Sequence, residues 1–242
     1  MKGTVLLDDR RVGRVLLKLS VPSFIGMTVA LLYNLVDTIF VGHYCGPPAI
    51  AALTVVFPFQ MLCMGVGEMI GTGAASFVSR SLGAGERKAA EIALGNSFVL
   101  SAGFTAGLMG ITFPKSEGLA SLMGASGPVL PLAVDYLNII LFGIGATLFS
   151  LIISLLIRAE GNALVPMLGM VVGAGMNVLL DAIAVVWLRM GVRGAALATV
   201  VSQIISVGYM ASYYMRRKGL LRIKKYSFVP HSEIMWKICS VG

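Results

Sequence analysis

Four carboxylates interrupt stretches that are otherwise apolar: Asp37 in NLVDTIFVG, Glu68 in GVGEMIGTG, Asp135 in LAVDYL and Asp181 in NVLLD. Each acid near the centre of a membrane-spanning helix costs about 2.5 to 3.5 kcal/mol to insert, so four of them demand a compensating arrangement. No Lys or Arg lies well inside the apolar runs, which leaves no built-in base for a buried ion pair. An acid so placed is tolerated by taking a proton, by binding a cation or by lining a water-filled cavity, and each of these points to a functional role. Asn177 precedes Asp181 by four residues, which puts both side chains on one helical face. Asp37, Asp181 and Thr199 fall at a similar depth, about 7 to 12 Å below the same end of their helices at 1.5 Å rise per residue. The spacing therefore predicts four oxygen-bearing side chains on three helices converging at one level. Taken singly, Thr199 reads as a bond to a neighbouring helix or to its own backbone. Asp135, about two turns into its run, is open to two readings, a functional role or a side chain that snorkels to the interface. Glu68 sits between glycines suited to close helix packing and is a secondary candidate for the site.

The elements that position these residues are legible in the composition. The 242 residues are 57% hydrophobic and 12% charged, with mean hydropathy +0.88, far from the roughly 25% charged residues of a soluble domain. Six runs match the about 20 residues needed to span a bilayer: Leu19 to Val41, Ala49 to Val78, Ile92 to Phe113, Pro128 to Ile157, Ala163 to Leu188 and Gly194 to Met215. The expected class is an all-α polytopic membrane protein with six transmembrane helices. Residues 1–18 are expected to form a cytoplasmic N-terminal segment, 19–215 the six-helix transmembrane region, and 216–242 a basic cytoplasmic linker. The first run is too long for a cleaved signal peptide and follows the charged leader DDRR, so it is read as a retained span. Fifteen Lys and Arg residues, from Lys2 through Arg80, Arg158 and the RRKGLLRIKK stretch, fall on one side, against Lys115, Arg189 and Arg193 on the other. The net charge of +8 is therefore a topology signal that predicts both termini in the cytoplasm.

Other function classes lack their parts. The basic residues are dispersed over loop ends without interleaved aromatics, which argues against a nucleic-acid partner. His43 and His231 lie in a loop and the tail, SLGAGERK lacks the GxxxxGK spacing, and Cys45, Cys63 and Cys239 are odd in number and widely spaced. The chain reads as no enzyme, with no cofactor and no dedicated metal site. The 14 methionines suit an adaptable pocket and equally suit ordinary packing.

NLVDTIFVG, SRSLGAGE (Ser79 to Glu86), RAEGNALVPM (Arg158 to Met167), NVLLD and GAALAT (Gly194 to Thr199) occur in an order and on helices that resemble the multidrug and toxic compound extrusion (MATE) family, over about Leu17 to Arg217. The resemblance implies a secondary antiporter that exports organic, often cationic, compounds against inward H⁺ or Na⁺ in the prokaryotic plasma (inner) membrane. It implies that Asp37, Asn177, Asp181 and Thr199 form the cation or proton site, with Na⁺ a candidate occupant, and that Pro22 marks where the first helix bends. Proline removes a helix hydrogen bond, so a kink at Pro22 is expected on physical grounds too, for structural or functional use. Family members resemble two six-helix lobes, whereas this chain carries one, and MWKICSV (Met235 to Val241) weakly echoes LLKLSVP (Leu16 to Pro22) as though a second repeat begins. The expected partners are small organic molecules, the bilayer and a second six-helix lobe. The alternatives are a lipid-linked glycan flippase of the same superfamily, for which basic lumen residues are missing, and a non-transporting membrane scaffold or assembly partner.

Overall fold

Long apolar runs without internal breakers form helices because every backbone donor and acceptor is then satisfied within the segment, the one solution available in lipid besides a closed barrel. A computed structural model describes residues 12–217 and 219–242; the leader DDRR, Lys2 and Lys218 lie outside the described residues. The elements are α1 (Val12–Cys45), α2 (Pro47–Gly83), α3 (Arg87–Thr112), a 3-10 turn (Phe113–Lys115), α4 (Ser116–Leu122), α5 (Val129–Ala159), α6 (Leu164–Asp181), a π-helical turn (Ala182–Trp187), α7 (Gly191–Met215), a second 3-10 turn (Lys225–Phe228) and α8 (Ser232–Val241). Among the described residues six segments are long and apolar enough to cross a membrane: Leu16–Cys45, Pro47–Gly83, Arg87–Leu122, Val129–Ala159, Leu164–Trp187 and Gly191–Met215. They coincide with the six predicted runs. The chain is that of an integral membrane protein, with six such helices among the described residues.

Local chemistry sets the ends. Pro47 opens α2, where its missing N–H is no loss, and the Asn162 carboxamide oxygen accepts the N–H groups of Leu164 and Val165, both at 3.2 Å, to start α6. α5 is the central helix and packs on α2, α3, α4 and α7, while α1 leans mainly on α6. The core divides along the helix axes into two clusters. One, near the basic loops, joins Ile70, Leu94, Leu156, Met210, Leu221 and Ile238; the other, at the opposite end, joins Val41, Val56, Leu137, Leu141, Val185 and Val192. α1 keeps much of its apolar surface uncovered, with Phe24 and Leu31 each 72% exposed, as suits lipid or another lobe.

The segment after α7 is docked rather than loose. The Asn96 amide of α3 donates to the Ser227 and Val229 carbonyls at 3.1 Å each, and its oxygen accepts the His231 N–H at 2.8 Å. Gly95 and Gly73 permit this: a Cβ at either would collide with the backbone of Ser227 or with the carbonyl of Ile238.

Candidate functional site

Asp37 lies two turns before the end of α1 and is 8% exposed; Asn177 and Asp181, one turn apart on α6, are fully buried. The two carboxyls face one another across α1 and α6. The Asn177 amide donates to the Thr199 hydroxyl of α7 at 3.4 Å, so the third helix joins the cluster. The structure thus brings together Asp37, Asn177, Asp181 and Thr199.

Four oxygens here are enclosed without a donor: Oδ1 of Asp37, Oδ1 and Oδ2 of Asp181, and Oδ1 of Asn177. Buried polar atoms are nearly always paired, so four unpaired oxygens in one place mark a candidate site. Two carboxylates cannot hydrogen-bond to each other without a proton between them, and a set of carboxylate, amide and hydroxyl oxygens is the hard donor set that suits H⁺ or an alkali or other hard cation. Among the described residues no group of three or more His, Cys, Asp or Glu comes together.

The residues around the pair were not singled out by the sequence. Tyr136, buried on α5, and Tyr33, on α1, lie within electrostatic reach of both carboxyls, with Gln60 beside Tyr136 and Gln203 beside Tyr33. A signal was present: Tyr33 precedes Asp37 by four residues and Gln203 follows Thr199 by four, so each shares a helical face with a site residue. Directly after Asp181 the chain enters the π-helical turn, a rare conformation enriched at functional positions.

The remaining candidates stand apart. The Arg193 guanidinium donates to both oxygens of Asp135, at 2.9 and 3.0 Å, in a partly exposed pair at the helix ends. Asp135 therefore has a base from a neighbouring helix end as its partner and lies apart from the cluster of Asp37 and Asp181. Glu68 is exposed on α2, outside the cluster and within electrostatic reach of Arg158. Pro22 is buried in α1, whose helix continues through it, fifteen residues or about 22 Å along the axis from Asp37.

Two further buried carboxylates lie toward the basic loops. Glu91 of α3 accepts from the Tyr226 hydroxyl and pairs with Lys224 at 3.3 Å and Arg87 at 3.5 Å. Glu160, 1% exposed just past α5, accepts the Leu220 N–H at 2.7 Å, and burial pushes its carboxyl above the ordinary glutamate range against the lowering effect of that bond.

Six apolar helices around an enclosed pair of carboxyls make this an integral membrane protein with acids in its interior. The MatE family pattern matches residues 22–183, and the chain belongs to that family. It is 28% identical over 231 residues to the multidrug export protein MepA of Staphylococcus aureus, covering 95% of this chain and 51% of that protein. Its fold superposes on a crystal structure described as MATE in the bent conformation with TM-score 0.91 at 33% identity, covering all of this chain and 54% of the other. Against the structure described as the straight conformation the TM-score is 0.88, at 33% identity and 94% and 51% coverage. The chain therefore spans about half the length of the relatives it matches.

Proposed function

We propose that this chain is the amino-terminal lobe of a secondary active antiporter that exports organic, often cationic, compounds in exchange for H⁺ or Na⁺. In this reading residues 19–215 are the lobe, 216–242 connect to and begin a second lobe, and both ends lie on the cytoplasmic side of the plasma membrane. The observation that carries the proposal is the cluster of four donorless oxygens on Asp37, Asn177 and Asp181. Two acids confined together repel, so the empty site favours uptake of one proton or one cation, and occupancy relieves the repulsion. Asp37 is the coupling residue, on the helix least tied to the rest of the lobe. Asp181 is its partner, and Asn177 and Thr199 supply the amide and hydroxyl that orient the pair.

Occupancy then biases the conformation of α1, whose missing hydrogen bond at Pro22 gives it a place to bend. Similar structures described as MATE in the bent and in the straight conformation support this reading. A cation entering from one side would favour one shape of α1 and release substrate to that side, and its departure to the other side would reset the lobe.

The test is Asp37→Asn in the complete two-lobed protein, reconstituted in liposomes under imposed pH and Na⁺ gradients. Coupled export should be lost while expression and folding persist. Export at the wild-type rate with unchanged pH and Na⁺ dependence would remove Asp37 from the mechanism, and full tolerance of both Asp37→Asn and Asp181→Asn would favour a scaffold role instead. The 242-residue chain by itself is expected not to export, because one lobe leaves the exposed face of α1 and α2 without its counterpart.

A further inference from the structure

At the end of the lobe opposite the basic loops, the helix ends part around a cavity of about 590 Å³. Its walls are mainly apolar, built by Tyr44 of α1, Ala49 of α2, Leu132 of α5 and Val185 and Val186 of the π-helical turn, and Arg189 lines it as the charged member. A volume in this range, between about 300 and 1,000 Å³, matches sites that enclose a small molecule or a chain segment.

Arg189 differs from its neighbours in two ways. Its backbone is left-handed, with φ of 52°, a conformation that costs a residue with a Cβ roughly 1 to 2 kcal/mol. Its charge is also unmet: Arg193, at the same end of the lobe, is neutralised by Asp135 through two hydrogen bonds, whereas Arg189 enters no ion pair among the described residues. The two preceding residues, Trp187 and Leu188, are 81% and 63% exposed. An exposed indole beside a helix end is the side chain that settles at the headgroup level of a bilayer. The cavity thus opens at the water–lipid boundary with an apolar interior and a guanidinium at its rim. Its charge repels an organic cation, which separates it from the proposed substrate chemistry.

We propose that this cavity binds an acidic phospholipid of the leaflet at that end, with one acyl chain between Ala49, Leu132 and Val185 and the phosphate on the Arg189 guanidinium. The planar fork of Arg matches two phosphate oxygens at once, while the aliphatic wall supplies affinity in proportion to the chain buried. The inference does not depend on the ion site, since it uses none of its residues.

Native mass spectrometry of the purified 242-residue chain in detergent, titrated with dioleoyl phosphatidylglycerol or dioleoyl phosphatidylcholine, tests it. The acidic lipid should be retained roughly tenfold better, the expected effect of one charge-assisted pair. Arg189→Gly should reduce its retention to that of the zwitterionic lipid without lowering the melting temperature, because glycine tolerates the left-handed backbone. Arg189→Lys should keep part of the preference, and Val186→Trp, which fills the cavity, should weaken both lipids. Equal retention of the two lipids by the wild type would overturn the proposal, as would a preference that survives Arg189→Gly. Displacement of the lipid by glycerol phosphate alone would also overturn it, by showing an anion site that needs no chain.

Discussion

Asp181 closes the regular part of α6 with both carboxylate oxygens enclosed and without a donor, opposite Asp37. An acid held in that state costs stability, so removing its charge should separate stability from the proposed role in coupling. We expect Asp181→Asn to raise the thermal stability of the lobe at alkaline pH in Na⁺-free buffer, by the order of 1 to 3 kcal/mol typical of an unsatisfied buried polar group, while the complete protein loses coupled export. A lower melting temperature would mean that the two acids do not repel. Glu160 offers a second residue-scale test with the opposite linkage to a surface acid. Burial raises its proton affinity in the folded state, so its favourable contribution is complete below the ordinary glutamate pKa of about 4.3 and is lost as pH rises through the folded value. The melting temperature of wild type relative to Glu160→Gln should therefore fall as pH increases. Parallel curves would show that Glu160 does not titrate differently on folding.

Helix-scale stability depends on close approach rather than on apolar area alone. α8 crosses α2 where Gly73 meets the Ile238 carbonyl, and the connector crosses α3 where Gly95 meets Ser227. Gly95→Val should displace the connector, since the obstruction is backbone and cannot rotate away; overpacking of this kind costs about 1 to 3 kcal/mol. Asn96→Ala should act in the same direction by abandoning two carbonyls and one N–H. Limited trypsin digestion reads both, because Arg222, Lys224 and Lys225 lie in the docked segment and cleavage there should accelerate in each variant. Unchanged cleavage would show that the connector is held by other contacts, such as the Glu91 pairing with Tyr226 and Lys224.

For the whole molecule, the distribution of charge predicts a fixed orientation. Lys and Arg gather at the ends of α2, α5 and α7 nearest the connector, and the opposite end carries Lys115, Arg189 and an Arg193 already neutralised by Asp135. In right-side-out vesicles, single cysteines at Lys115 and Arg189 should react with an impermeant thiol reagent, and one at Lys225 should react only after the membrane is opened. Labelling of Lys115 from the cytoplasmic side alone would invert the lobe. In the proposed antiport reading, the same orientation decides which bulk phase faces the near end of the Asp37 site, and hence the direction of the gradient that would drive it.

Much of this architecture was determined by the chain's own sequence. Six apolar runs had to become helices because lipid offers backbone groups no other partner, and of the four acids in them Asp37 and Asp181 are brought together, whereas Asp135 pairs with Arg193 and Glu68 is exposed. The i, i+4 spacing of Asn177 and Asp181 and the common depth of Asp37 and Thr199 were sufficient to group the site. What one dimension could not carry was the rotation of each helix about its axis. That rotation turns Asp37 toward Asp181, leaves Glu68 exposed toward Arg158, and gives Asp135 an arginine 58 residues away as its partner. Tyr136 and Gln60 join the site, and Glu91, Asn96 and Glu160 bind the connector, through contacts between segments far apart in the chain. Periodicity specifies which face of a helix is apolar; only packing against neighbours, through small residues such as Gly73 and Gly95, decides what that face meets.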